Sequence, residues 1–184
     1  YNIPVFYFPK FFHPDPTVNR RSGILKPMLN NSNITGSSFT LPYFYAISDA
    51  SDVTFAPTIF DTGTKLLQNE YRKVGEKFNL LINFGHNRNY KSSIENKKKN
   101  TSYLFSKFEI DLDFKNFNSS KMYVDLEKVT NDTFLKIFDS NLIETTSSLK
   151  PKNNNILSSQ LKLILNNDNY NFTTGFESYE NLQL

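Results

Sequence analysis

The 184-residue sequence has no cysteine, no tryptophan, two histidines and six glycines. Without cysteine there are no thiolate metal sites and no disulfide staples in this stretch, and nothing follows about redox compartment. No apolar run reaches the roughly eighteen residues that a membrane-crossing helix needs, which excludes such a helix but leaves membrane-crossing strands open. There is no Gly-rich phosphate loop, nucleophile elbow or HExxH helix, so the common catalytic signatures are missing. Charge of one sign is also missing: the net charge is +3, with lysines and acids interspersed, which gives no nucleic-acid footprint. His13 and His86 stand far apart without ligand-like neighbours, so no metal site is expected. Lys97, Lys98 and Lys99 read as a solvated loop run.

What is present is aromatic side chains, eighteen Phe and ten Tyr, on a pattern of period two. Leu104, Phe108, Ile110, Leu112 and Phe114 fall on one face of residues 103–115, opposite Lys107, Glu109, Asp111, Asp113 and Lys115. A helix would need recurrence at three and four, so this is a strand. Similar alternation runs through Phe78, Leu80, Ile82 and Phe84, through Met122, Val124 and Leu126, and through Leu157, Leu161, Leu163 and Leu165. Strands are expected at 22–30, 36–47, 52–60, 64–73, 77–88, 102–116, 120–129, about 156–166 and about 169–180. Residues 1–12, rich in aromatic and β-branched types with Pro4 and Pro9, read as the last strand of a preceding unit. The chain opens at Tyr1 without an initiating methionine and stops inside a strand-like pattern, so an internal fragment is expected.

In a soluble sandwich the apolar faces would pack on each other, whereas in a membrane barrel they would meet lipid and the charges would line a wet lumen. Periodicity alone does not choose. Connection lengths favour the barrel: those near Ser48, Gly75, Asn118 and Asn167 are short, while 89–101 and 130–155 are long, polar and confined to one side. On that reading Glu70, Arg72, Lys107, Glu109, Asp111 and Asp113 face the lumen. A carboxylate pair for glycoside hydrolysis or a cation site is the competing reading of the acids, but alternating charge on a strand is usually its wet face. Two other classes stay open, a generic porin or transport barrel and a soluble β-sandwich carbohydrate-binding module.

Residues 20–47 (RRSGILKPMLNNSNITGSSFTLPYFYAI) read as the working part, two strands joined by an Asn- and Ser-rich turn. Each carries a proline in its middle, Pro27 and Pro42. A proline donates nothing to the ladder and is normally kept out of strand interiors, so two in facing strands thin the seam between them. The competing reading is that they only bend the sheet or discourage wrong edge pairing. Before them, residues 13–19 (HPDPTVN) form a rigid connection, since each proline fixes its own φ and extends the residue before it.

Three stretches carry a family resemblance: VFYFPKFFHPDPTVNRRSGILKP, LPYFYAISDASDVTFAPTIFDTGTKLLQNEYR and YVDLEKVTNDTFLKIFDSNL. In order and spacing they resemble the lipopolysaccharide-assembly family LptD (OstA, Imp), the first two where its periplasmic jelly roll passes into its barrel and the third where an Asp-Thr/Ser-aromatic-Leu run follows a barrel strand. The likeness is strongest up to Arg72 and weak near Lys97 and after about Lys150. It implies an all-β fold: residues 1–21 as the end of the jelly roll and junction, and 22–184 as the first part of an outer-membrane antiparallel barrel, about nine of some 26 strands. It implies a lipopolysaccharide translocon rather than an enzyme, with no cofactor, and with partners LptA as periplasmic bridge, LptE as plug lipoprotein, and outer-membrane lipids. Pro27 and Pro42 then match the prolines that weaken a lateral gate. His13, Pro14, Asp15, Pro16, Arg20 and Arg21 match the junction, where the arginines either meet lipid phosphates or pair with acidic neighbours.

Overall fold

A computed structural model describes residues 20–91, 98–138, 141–142, 149–151 and 153–182. His13, Pro14, Asp15 and Pro16, with the rest of 1–19, lie outside the described residues, as does Lys97. Among the described residues the chain is all-β, one antiparallel sheet with a single short helix. Its strands are β1 (Gly23–Ile24), β2 (Met28–Ser32), β3 (Gly36–Thr40), β4 (Tyr43–Ser48), β5 (Ser51–Phe60) and β6 (Lys65–Val74). They continue as β7 (Phe78–Lys91), β8 (Lys98–Asp111), β9 (Ser119–Val129), β10 (Ile156–Asn166) and β11 (Asn171–Asn181), with α1 (Phe134–Phe138) before β10. Neighbours in sequence are neighbours in the sheet from β4 through β11, a meander whose pairings are all antiparallel. That is the connectivity of a barrel wall, and among the described residues β1 and β11 do not pair, so the sheet is open.

The two faces differ in kind. Asp52, Ala56, Thr58, Gln68, Glu70, Asn83 and Tyr103 are buried on one face, here called inner. On the outer face Phe55, Ile59, Leu67, Phe84, Leu126, Leu161, Phe172 and Phe176 are exposed. A water-soluble sheet does the reverse, so the outer face is made for an apolar neighbour. No second layer covers it among the described residues.

The inner face is polar along most of its length and apolar at one end. There Phe60, Leu66, Tyr103, Phe105 and Val129 meet Phe134, Leu135 and Phe138 of the β9–β10 connection in one cluster. Phe138 packs edge-on against Phe60 and Tyr90, with centroids 6.0 and 5.5 Å apart. Tyr103 lies across Gly85, where a Cβ would stand 2.0 Å from its ring, and its hydroxyl donates to Asn83 Oδ1 at 2.7 Å. Gly85 is therefore the space that lets an aromatic ring lie flat on the inner face. Asn141 fastens the same connection: its carbonyl accepts from Gln68 Nε2 at 2.8 Å and its Nδ2 donates to Ser38 Oγ at 2.9 Å.

Four expectations about elements are corrected. The first two strands do not run through their prolines but break there, giving β1 and β2, then β3 and β4. The 89–101 connection is shorter, because β7 runs on to Lys91 and β8 starts at Lys98 beyond a register shift near Asn89, whose φ is 64°. The strand expected to reach residue 116 ends at Asp111, so Asp113, at φ 52°, sits in the following turn. The 130–155 connection is not uniformly polar, since it carries the buried face of α1.

Candidate functional site: the proline-broken edge

The first hairpin forms one edge of the sheet. Ile24 pairs with Tyr43, whereas Met28 pairs with Thr40. Between these pairs the first strand has three residues (Leu25, Lys26, Pro27) against two (Leu41, Pro42), which makes a bulge containing both prolines. The backbone bond across it runs from Leu25 N to Pro42 O, at 2.8 Å. Two residues facing in this way normally exchange two bonds, but Pro42 has no hydrogen to return.

Pro57 repeats the arrangement one strand further in. β3 and β4 both pair with β5 in one register, Thr40 with Thr58 and Tyr43 with Phe55. At the break Leu41 N donates to Pro57 O at 3.2 Å, and Pro57 likewise has nothing to return. A single weak line thus crosses two adjacent seams at one height. Just beside it Thr40 Oγ1 and Thr58 Oγ1 share a 2.7 Å hydrogen bond on the inner face. The sequence reading passed over Pro57; its signal was a proline inside an alternating run, TFAPTIF.

The edge is also apolar. Ile24, Leu29, Phe39, Tyr43, Tyr45, Phe55 and Ile59 are exposed around the break, with Leu29 at 84%. A weakened ladder flanked by a greasy surface can part without exposing buried charge there.

The structure puts Glu70, Arg72, Lys107, Glu109 and Asp111 on the inner face. Cross-strand pairing sets Arg72 opposite Leu81, Lys107 opposite Asp125, and Asp111 opposite Lys121. Charges here are met by opposite charges: Lys121 Nζ lies 2.9 Å from Glu109 Oε1, and Arg72 Nε lies 2.7 Å from Asp52 Oδ1. Asp113 is apart from them, 2.7 Å from Lys77 at the rim. Such ion pairs give a charge-balanced wall, not the facing carboxylates that glycoside hydrolysis uses. Arg20 reaches Asp52 Oδ2 at 2.8 Å.

No family model matches the chain. It is similar to curated relatives named LPS-assembly protein LptD. That of Actinobacillus pleuropneumoniae serotype 7 is 27% identical over 190 residues, covering 99% of this chain and 23% of the relative. The Idiomarina loihiensis protein is 26% identical over 140 residues, 76% of this chain and 18% of its own length. A Polaromonas protein is 38% identical over 71 residues, 39% of this chain and 8% of its length. The chain thus spans less than a quarter of the relatives it matches. An all-β meander together with several such relatives, one of them aligned along 99% of this chain, supports an LptD family fragment.

Proposed function

We propose that this chain is part of the wall of an outer-membrane barrel that assembles lipopolysaccharide into the outer leaflet, with the proline-broken hairpin as one side of a lateral gate. The role is transport and assembly, not catalysis. The relatives' shared name supports the lipopolysaccharide role. The observation that carries the gate is the weak line through Pro27, Pro42 and Pro57 at the edge of the sheet. In hydrocarbon water cannot replace a lost ladder bond, so strands short of donors part more readily than their neighbours. Apolar residues face lipid, the ion-paired inner face lines the lumen, and residues 13–21 join the barrel to a periplasmic jelly roll. LptA supplies lipopolysaccharide to that jelly roll, and LptE sits within the lumen.

The test restores the missing donor. Pro42→Ala gives the seam a hydrogen for the first strand, worth about 0.5–1.5 kcal/mol if the bond forms. Full-length protein reconstituted with its partners in vesicles is expected to transfer lipopolysaccharide several-fold more slowly with Pro42→Ala, at unchanged protein level. Wild-type transfer rates in Pro42→Ala and in Pro57→Ala would remove the gate.

A further inference from the structure

Below β1, towards the β4–β5 turn, the first strand goes on as residues 20–22, and side chains take over from the ladder. Ser22 Oγ accepts from Ala46 N at 3.0 Å. Arg20 reaches Asp49 O at 3.5 Å and Asp52 Oδ2 at 2.8 Å, with its guanidinium carbon 5.9 Å from the centre of the Phe44 ring. The Asp52 side chain is only 2% exposed, and its other oxygen takes Arg72 Nε at 2.7 Å. One buried carboxylate therefore ties the first strand to β5 and β6, reaching past β4. Arg72 also lies 3.9 Å from Glu70 Oε1, so two arginines meet two carboxylates. That balance leaves no excess positive charge to attract an anion and marks the group as a clamp.

We infer that Arg20, Asp52 and Arg72 form a pivot that pins the short-turn end of the first strand to β5 and β6, across the proline line from the end where Ser37 and Thr40 of β3 are bonded to Asp61 and Thr58. Arg20 is a positioning residue. It fixes where the edge strand bends, because above it the ladder is two pairs long before the bulge interrupts it. A carboxylate buried with both oxygens paired holds its partners firmly, since loss of either one leaves charge stranded. The pivot's consequence for transport rests on the gate reading; its existence does not.

Amide hydrogen exchange on full-length protein in lipid nanodiscs tests it. Arg20→Gln removes one arm and keeps the Arg72–Asp52 pair, so the fold is retained. Exchange at residues 23–25 and 44–46 is expected to rise about tenfold, with the β7–β8 ladder unchanged. Arg20→Lys, which keeps the charge, should fall between Arg20→Gln and wild type. Wild-type exchange in Arg20→Gln would overturn the pivot, as would a rise spread evenly over the sheet. A local rise with unaltered lipopolysaccharide transfer would uphold the pivot and count against the gate.

Discussion

Two charged residues at the rim give the account a pH signature. The Asp113 carboxyl is held below its ordinary value of 3.8, chiefly by the hydrogen bond from Lys77 and then by its charge. Lys77 is raised above its ordinary 10.5 by the same bond and charge. A depressed carboxylate contributes stability that is present above its unfolded pKa and lost as pH falls through the folded one. A raised lysine contributes stability that is present below its unfolded pKa and lost as pH rises through the folded one. The pair therefore acts from the acid side of 3.8 to the alkaline side of 10.5. Asp113→Asn is expected to speed amide exchange in the 75–77 turn between these limits and to match wild type in stronger acid. A pH-independent difference would mean the turn is held by something else. At this scale Pro27 and Pro42 were legible, because a proline's missing donor is a property of the residue. Pro57 and Asp52 were not singled out. The partners of Asp52 lie 32 and 20 residues away in sequence, and only register brings Arg20 and Arg72 to one carboxylate.

The strands were legible to within a few residues wherever the period of two ran unbroken, as in β5 to β7 and β9 to β11. Alternation is imposed by the pleat itself, so a sheet with unlike faces must show it. Breaks were harder. A proline flanked by strand-forming residues reads as the middle of one strand, but the ladder must stop there, and the chain instead forms two short strands on either side. The connection after β9 misled for another reason: its polar flanks outweigh a five-residue helix, although Phe134, Leu135 and Phe138 share one helical side. Their burial makes this connection part of the inner face. Phe138→Ala removes a ring 1% exposed and is expected to cost about 3–5 kcal/mol of local stability. Limited proteolysis of full-length protein should then cut within 130–155 several-fold faster, while a wild-type rate would show that Phe138 does not hold the connection.

For the whole chain, the unlike faces and the open edges point one way. Among the described residues the sheet has exposed Phe and Leu on one side, ion pairs on the other and an open edge at each end, features that suit one segment of a larger closed structure. Composition allowed this and did not choose it; the exposed outer face favours it. The central claim is that lipopolysaccharide passes the proline-broken edge. Site-specific photocrosslinking in living cells, from residues 24–29 and 39–43 of full-length protein, tests it most directly. Lipopolysaccharide adducts at these positions, lost when inner-membrane ATP hydrolysis is blocked and absent from controls on the outer face of β7 and β8, are the predicted result. If the edge never touches lipopolysaccharide while the protein sits normally in the outer membrane, the break is only a bend in the wall and the account is wrong.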